Sequence, residues 1–189
     1  MRATFISLLA VAAMAMVGCE SESGSYNSTA PSVQQRSQLA LQEMQSKDAH
    51  LQDMINNSVG YVIFPEVGKG ALGVGGAGGS GVLYRNGQPV GTVTMSQLSL
   101  GPQVGGETYS ELIVFQNEKA LNRLMNDSLE FGAQASASVV KAGAAAGTQF
   151  DHGVAVFLLP KGGLMAGASI SGQKFNYHGD SNINNNSGT

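Results

Sequence analysis

Val33, Ala40, Leu41, Met44, Leu51, Met54 and Ile55 recur at spacings of three, four and seven, which is the period of one helical face. The spacing predicts an amphipathic helix over 33–57. Ser32, directly after Pro31, suits its N-cap, and Asn56-Asn57 suits its stop. From Tyr61 the period becomes two. Tyr61-Val62-Ile63-Phe64 reads as a short apolar strand stopped by Pro65, and Ser80 to Tyr84 as a second. Asn86-Gly87 is a strong hairpin signal, with a return strand from Val90 to about Leu100. Tyr109 to Phe115 is another apolar strand. Asn117 caps a short helix through about Met125, with Ala120, Leu121, Leu124 and Met125 inward. Leu129, Phe131, Ala133, Ala135, Ala137 and Val139 alternate with small or polar residues, so 129–140 is predicted as a strand despite its alanines. Strands at 154–159 and 164–177 complete the set. The expectation is an α+β domain: a curved antiparallel sheet of about seven strands, with an N-terminal amphipathic helix and one short internal helix.

The two ends read differently. Arg2 precedes an apolar run from Phe5 to Val17, which is 13 residues. That length suits the core of a signal peptide and falls short of the ~20 residues that span a bilayer. Met16-Val17-Gly18-Cys19 resembles a bacterial lipobox, with Met where Leu is usual. The resemblance implies cleavage before Cys19 and acylation of that residue as a lipid anchor. Glu20 after the Cys, where Asp would hold a lipoprotein in the inner membrane, implies the outer membrane. The expected organisation is a signal peptide at 1–18, a lipidated Cys19 and polar tether to 32, a domain at 33–180, and a disordered tail at 181–189.

Composition narrows the function. Lys plus Arg is 10 and Asp plus Glu is 13, for a net charge of −3; without residues 1–18 the chain has 9 basic and 13 acidic residues, or −4. No net positive field exists to neutralise nucleic-acid phosphates or to favour anionic membranes by bulk attraction. One Cys excludes an internal disulfide and a Cys-rich zinc site.

Gly68-Lys69-Gly70-Ala71-Leu72-Gly73 has the Gly-x-Gly-x-x-Gly form of a dinucleotide site. The same form recurs at Gly73 and Gly76, because eight glycines fall within residues 68–81. No helix opens after it to face a pyrophosphate. No acidic residue stands about 20 positions on, and no Gly-Lys-Ser/Thr occurs. Nucleotide and other cofactors are therefore not expected. His50, His152 and His178 read as solvated or turn residues, and adjacent Asp151-His152 lacks the geometry of a triad pair. No nucleophile elbow is evident. Glu107 and Glu111 stand close in sequence without a reason to assign them chemistry. Catalysis is not expected.

Several long motifs carry a resemblance. Gly60 to Pro65, Val67 to Gly70, Leu72 to Ala77 and Gly81 to Tyr84 come first. Gly101 to Glu111, Ile113 to Phe115, Ala120-Leu121, Glu130 to Ser136 and Gly163 to Gly167 follow. In this order they resemble the SYLF domain, over roughly residues 37–178. The resemblance implies a non-enzymatic lipid-binding module. Eukaryotic members are associated with phosphoinositides and actin, and their lipid binding relies largely on a basic N-terminal helix. The helix here has only Arg36 and Lys47 as basic residues, so phospholipid binding is carried over as a class, without phosphoinositide specificity and without actin. Lys69, Lys161 and Lys174, in or beside Gly-rich turns, are the candidates to meet headgroup phosphate, with Arg36 and Lys47 beside them. The expectation is a lipid-anchored protein of the bacterial outer membrane, periplasm-facing, whose domain binds membrane phospholipid. The alternative is a structural or protein-interaction module of the envelope that touches lipid only through its anchor.

Overall fold

The computed structural model describes residues 31–132, 135–163 and 170–179. The expectations for the signal segment, Cys19, the tether to residue 30, the tail and residues 164–169 lie outside the described residues. Helix α1 runs Val33–Lys47 and α2 His50–Asn56. Strand β1 is Gly60–Arg85, β2 Gln88–Phe115, and α3 Glu118–Met125. Then come β3 (Ser138–Val139), α4 (Ala144–Gly147), β4 (Val154–Gly163) and β5 (Gln173–Gly179). The sheet has the order β1-β2-β4-β3, with β5 also on β2.

The expected α+β architecture is found, with seven strand segments gathered into five strands. β1 and β2 form one long antiparallel hairpin, broken in register at Phe64/Val67, Leu72/Val74 and Leu83/Tyr84. The middle break divides each strand into two arms. One arm of β2 pairs β4 and the other pairs β5. Pro65 does not end the first strand as expected. It sits at the first bulge, where the ladder is already interrupted and its missing N–H costs no pairing. The hairpin turns at Asn86 (φ 52°) and Gly87 (φ 75°), the two positive values that a tight primed turn requires. β1 doubles back so closely that a Cβ on Gly81 would lie 2.7 Å from the Ile63 carbonyl oxygen.

Both faces of the sheet are buried where β1, β2 and β4 pair, which explains the unbroken apolar runs at 61–64, 112–115 and 154–159. Val154, Val156 and Leu158 face a core with Phe64, Ile113, Phe175 and the α3 residues Ala120, Leu121 and Leu124. Ala155, Phe157 and Leu159 face a second core with Tyr61, Tyr84, Ala40, Met44 and Leu51. There Tyr61 and Tyr84 stack at 5.0 Å, and burial pushes the Tyr61 hydroxyl up to about 12.

The N-terminal helix docks on this second core through Ser37, Ala40 and Met44. Ser32 caps it in a reciprocal capping box with Gln35. The single helix predicted over 33–57 is in fact two. Asp48, buried, breaks it: its carboxylate accepts the backbone N–H of His50 at 3.1 Å and of Ala145 at 2.7 Å. Asn117 caps α3 by accepting from the Ala120 N–H at 3.0 Å, as predicted. The strand predicted over 129–140 is a correction. Phe131 exchanges two backbone hydrogen bonds with Gly172 and Gln173, and seven residues on Ser138–Val139 is the only stretch of the segment, among the described residues, that forms a strand, in parallel with β4. Leu129 and Phe131 are buried as the alternation predicts, but at the other end Val139 is exposed and Val140 buried, because the two ends pack on different sheet arms.

Candidate functional site

Alternation gives the β1–β2 hairpin an outer and an inner face near its middle break. Leu72 and Val74 share the outer face, and Leu98, paired with Gly76, lies there too. These three side chains are 81%, 59% and 69% exposed. The inner face carries small or buried residues, Gly75, Ala77, Met95 and Gln97. Gly79 and Gly81 meet close backbone approach, whereas Gly68, Gly70, Gly76 and Gly78 are exposed; all lie within strand β1 and not in a loop that opens a helix.

The predicted basic residues separate. Lys69 is not in a turn but within β1; its side chain is 3% exposed and its Nζ lies 3.5 Å from Glu107 Oε1. At that distance the contact is ionic and not a formed hydrogen bond, and Glu107 Oε1 has no hydrogen-bond partner among the described residues. Lys161 lies exposed near the end of β4, and Lys174 exposed in β5, both in strands and not in turns. Lys174 pairs in register with Ser96, two residues from Leu98, so it adjoins the apolar patch on the same face. It stands 3.7 Å from Glu130. Arg36 and Lys47 are exposed on α1. The structure thus brings Lys174 to the patch and leaves Lys69 out of reach of a headgroup.

Sequence reasoning missed a buried polar group. Glu111 is fully buried, and burial raises its carboxyl to about 8 against a hydrogen bond from Gln173 that lowers it. Gln173 Nε2 lies 2.9 Å from Glu111 Oε2 and 3.5 Å from the Tyr109 hydroxyl. The available signal was parity, since Glu111 shares a face with Tyr109, Ile113 and Phe115.

A second missed feature is a cleft of about 400 Å³ beside α3, with Phe131, Val154, Val156 and Ile170 as an apolar floor and Arg123 and His152 at its rim. Arg123 Nε is buried without a hydrogen-bond partner among the described residues. His152 Nδ1 is 2.6 Å from Asp151 Oδ1, with both side chains largely exposed. His50 and His178 are exposed as expected. Among the described residues no cluster of His, Cys, Asp or Glu could hold a metal, and no helix is long and apolar enough to cross a membrane.

Residues 96–185 match the family described as "Ysc84: Las17-binding protein actin regulator". The domain belongs to the Ysc84, or SYLF, family. The match begins within β2 and takes in α3, β4 and β5 of this SYLF domain. β1, outside the matched span, pairs with β2 along nearly its whole length, so the folded unit extends N-terminally of the match. By its description the family is one of binding and regulation, not of catalysis. No curated protein matches the chain significantly.

Proposed function

We propose that this SYLF domain binds phospholipid membranes peripherally, as part of a lipoprotein anchored through Cys19 in the bacterial outer membrane and facing the periplasm. The observation that carries the reading is the outer face of the β1–β2 hairpin, where Leu72, Val74 and Leu98 project from the fold. Each such side chain is worth about 1.5–3 kcal/mol on full transfer from water. Lys174 beside them suits a headgroup phosphate, and exposed Lys161 is a second contact. Stable attachment usually needs two signals, and the acyl anchor and this patch would act as a pair. The family's described binding and actin regulation is not carried over, because the segment before the domain resembles a bacterial export signal.

The test is vesicle co-sedimentation of the chain from residue 19 with Cys19→Ser, on zwitterionic and anionic vesicles at low and high salt. Sedimentation that the double variant Leu72→Ser/Leu98→Ser loses supports the reading. A protein that stays in solution with every vesicle would leave Cys19 as its membrane contact and make the domain a protein-interaction module.

A further inference from the structure

The cleft beside α3 has an unbalanced charge and an apolar interior. Two of its rim groups are acidic, Glu130 and Asp151. Each already faces a base: Glu130 lies 3.7 Å from Lys174, and Asp151 2.6 Å from His152. Arg123 has no carboxylate within ion-pair distance among the described residues, and its Nε is buried without a partner. Burying a guanidinium nitrogen unpartnered is costly unless an anion completes it. Lys119, one turn earlier on α3, is also without an ion-pair partner among the described residues. It lines an adjoining cleft of about 240 Å³ together with Arg123 and His152. Two cations without a carboxylate in ion-pair distance, among the described residues, therefore stand at one end. At the other, Phe131, Val154, Val156 and Ile170 present carbon. The volume falls in the ~300–1,000 Å³ range of small-molecule sites.

The geometry points to a binding site for one single-chain anionic amphiphile, its phosphate or carboxylate head on Arg123 and Lys119 and its chain on the Phe131–Ile170 floor. This site is separate from the hairpin face and does not depend on membrane binding there. Arg suits the head because its planar fork pairs two oxygens at once.

The experiment is isothermal titration of the chain from residue 19 with Cys19→Ser. The probes are dodecyl phosphate and laurate below their micelle concentrations, inorganic phosphate, and the neutral dodecyl maltoside. Dodecyl phosphate and laurate bind in the expected result, inorganic phosphate and the maltoside much more weakly. Arg123→Gln then weakens the anionic probes about tenfold, and Arg123→Lys recovers part of the loss. Ala135→Trp, which fills the cleft from its rim, abolishes binding and guards against a fold defect confined to the Arg123 variants. Thermal melts check each variant. Inorganic phosphate binding as tightly as dodecyl phosphate would make this a bare anion site and overturn the proposal. So would equal binding of the maltoside unaffected by Arg123→Gln, or no binding at all. Leu72→Ser/Leu98→Ser leaves these titrations unchanged, and Arg123→Gln leaves vesicle sedimentation unchanged, so each site fails on its own evidence.

Discussion

Gln173 Nε2 donates to Glu111 Oε2 across 2.9 Å and thereby ties together the two arms of β2. Gln173 sits on β5, which pairs residues 91–97, whereas Glu111 lies in the arm that pairs β4. Gln97, opposite Gln173 in register, donates from its own Nε2 to the Ser171 carbonyl at 2.8 Å. A polar link thus holds a bend that apolar packing alone would leave loosely defined.

The burial of Glu111 makes stability depend on pH. Burial raises the Glu111 carboxyl from 4.5 to about 8, so the folded chain keeps a proton that the unfolded chain releases. Its contribution is fully present below about pH 4.5 and is lost as pH rises through about 8. The slope is at most about 1.4 kcal/mol per pH unit. Denaturant melts from acid to mildly alkaline pH should show wild type losing stability across that window relative to Glu111→Gln. Parallel curves for the two proteins would mean that Glu111 is ionised when folded.

Gly81→Ala should destabilise by about 1–3 kcal/mol, because its Cβ would meet the Ile63 carbonyl at 2.7 Å and the Phe64 ring at 2.8 Å. Gly70→Ala, with nothing within 4 Å of the new carbon, should be close to neutral. Paired thermal melts separate glycines required by close approach from those that are only tolerated.

Asp48→Ala should cost about 1.5–3 kcal/mol, since two backbone N–H groups lose a charged acceptor. The Ala145 N–H is buried, which makes its loss the larger part. Asp48→Asn keeps one acceptor oxygen and should fall between. Urea titration measures both; an alanine variant as stable as wild type would mean that water replaces the carboxylate.

Lys69→Ala and Lys174→Ala should differ in kind. Lys69 is buried against Glu107, so its removal strands a carboxylate and costs about 1–3 kcal/mol. Lys174 and Glu130 are both more than half exposed, and their pair should matter little to stability. Vesicle sedimentation should fall for Lys174→Ala and, at equal folded fraction, stay unchanged for Lys69→Ala.

Local chemistry was legible without a structure wherever one residue governs its own backbone or the next turn. Ser32 and Asn117 cap their helices, and Asn86-Gly87 turns the hairpin. The helical period placed Met44 and Leu51 inside, because side-chain direction follows backbone type. The SYLF resemblance was likewise carried by residue order alone. What only the tertiary structure decided was the identity of partners. Asp48 breaks a helix because Ala145, far along the chain, offers it an N–H. The described residues of 129–140 pair with β5 at one end and β4 at the other, so the alternation in the sequence does not become one strand. Lys69 read as a turn lysine until the long hairpin placed it beside Glu107. Arg123 lies in the last turn of α3, and only the residues of the 130–136 segment and β4 make it part of a cleft. Periodicity encodes which face a side chain takes, whereas burial, ion pairing and clefts arise from contacts between distant segments, which no local pattern specifies.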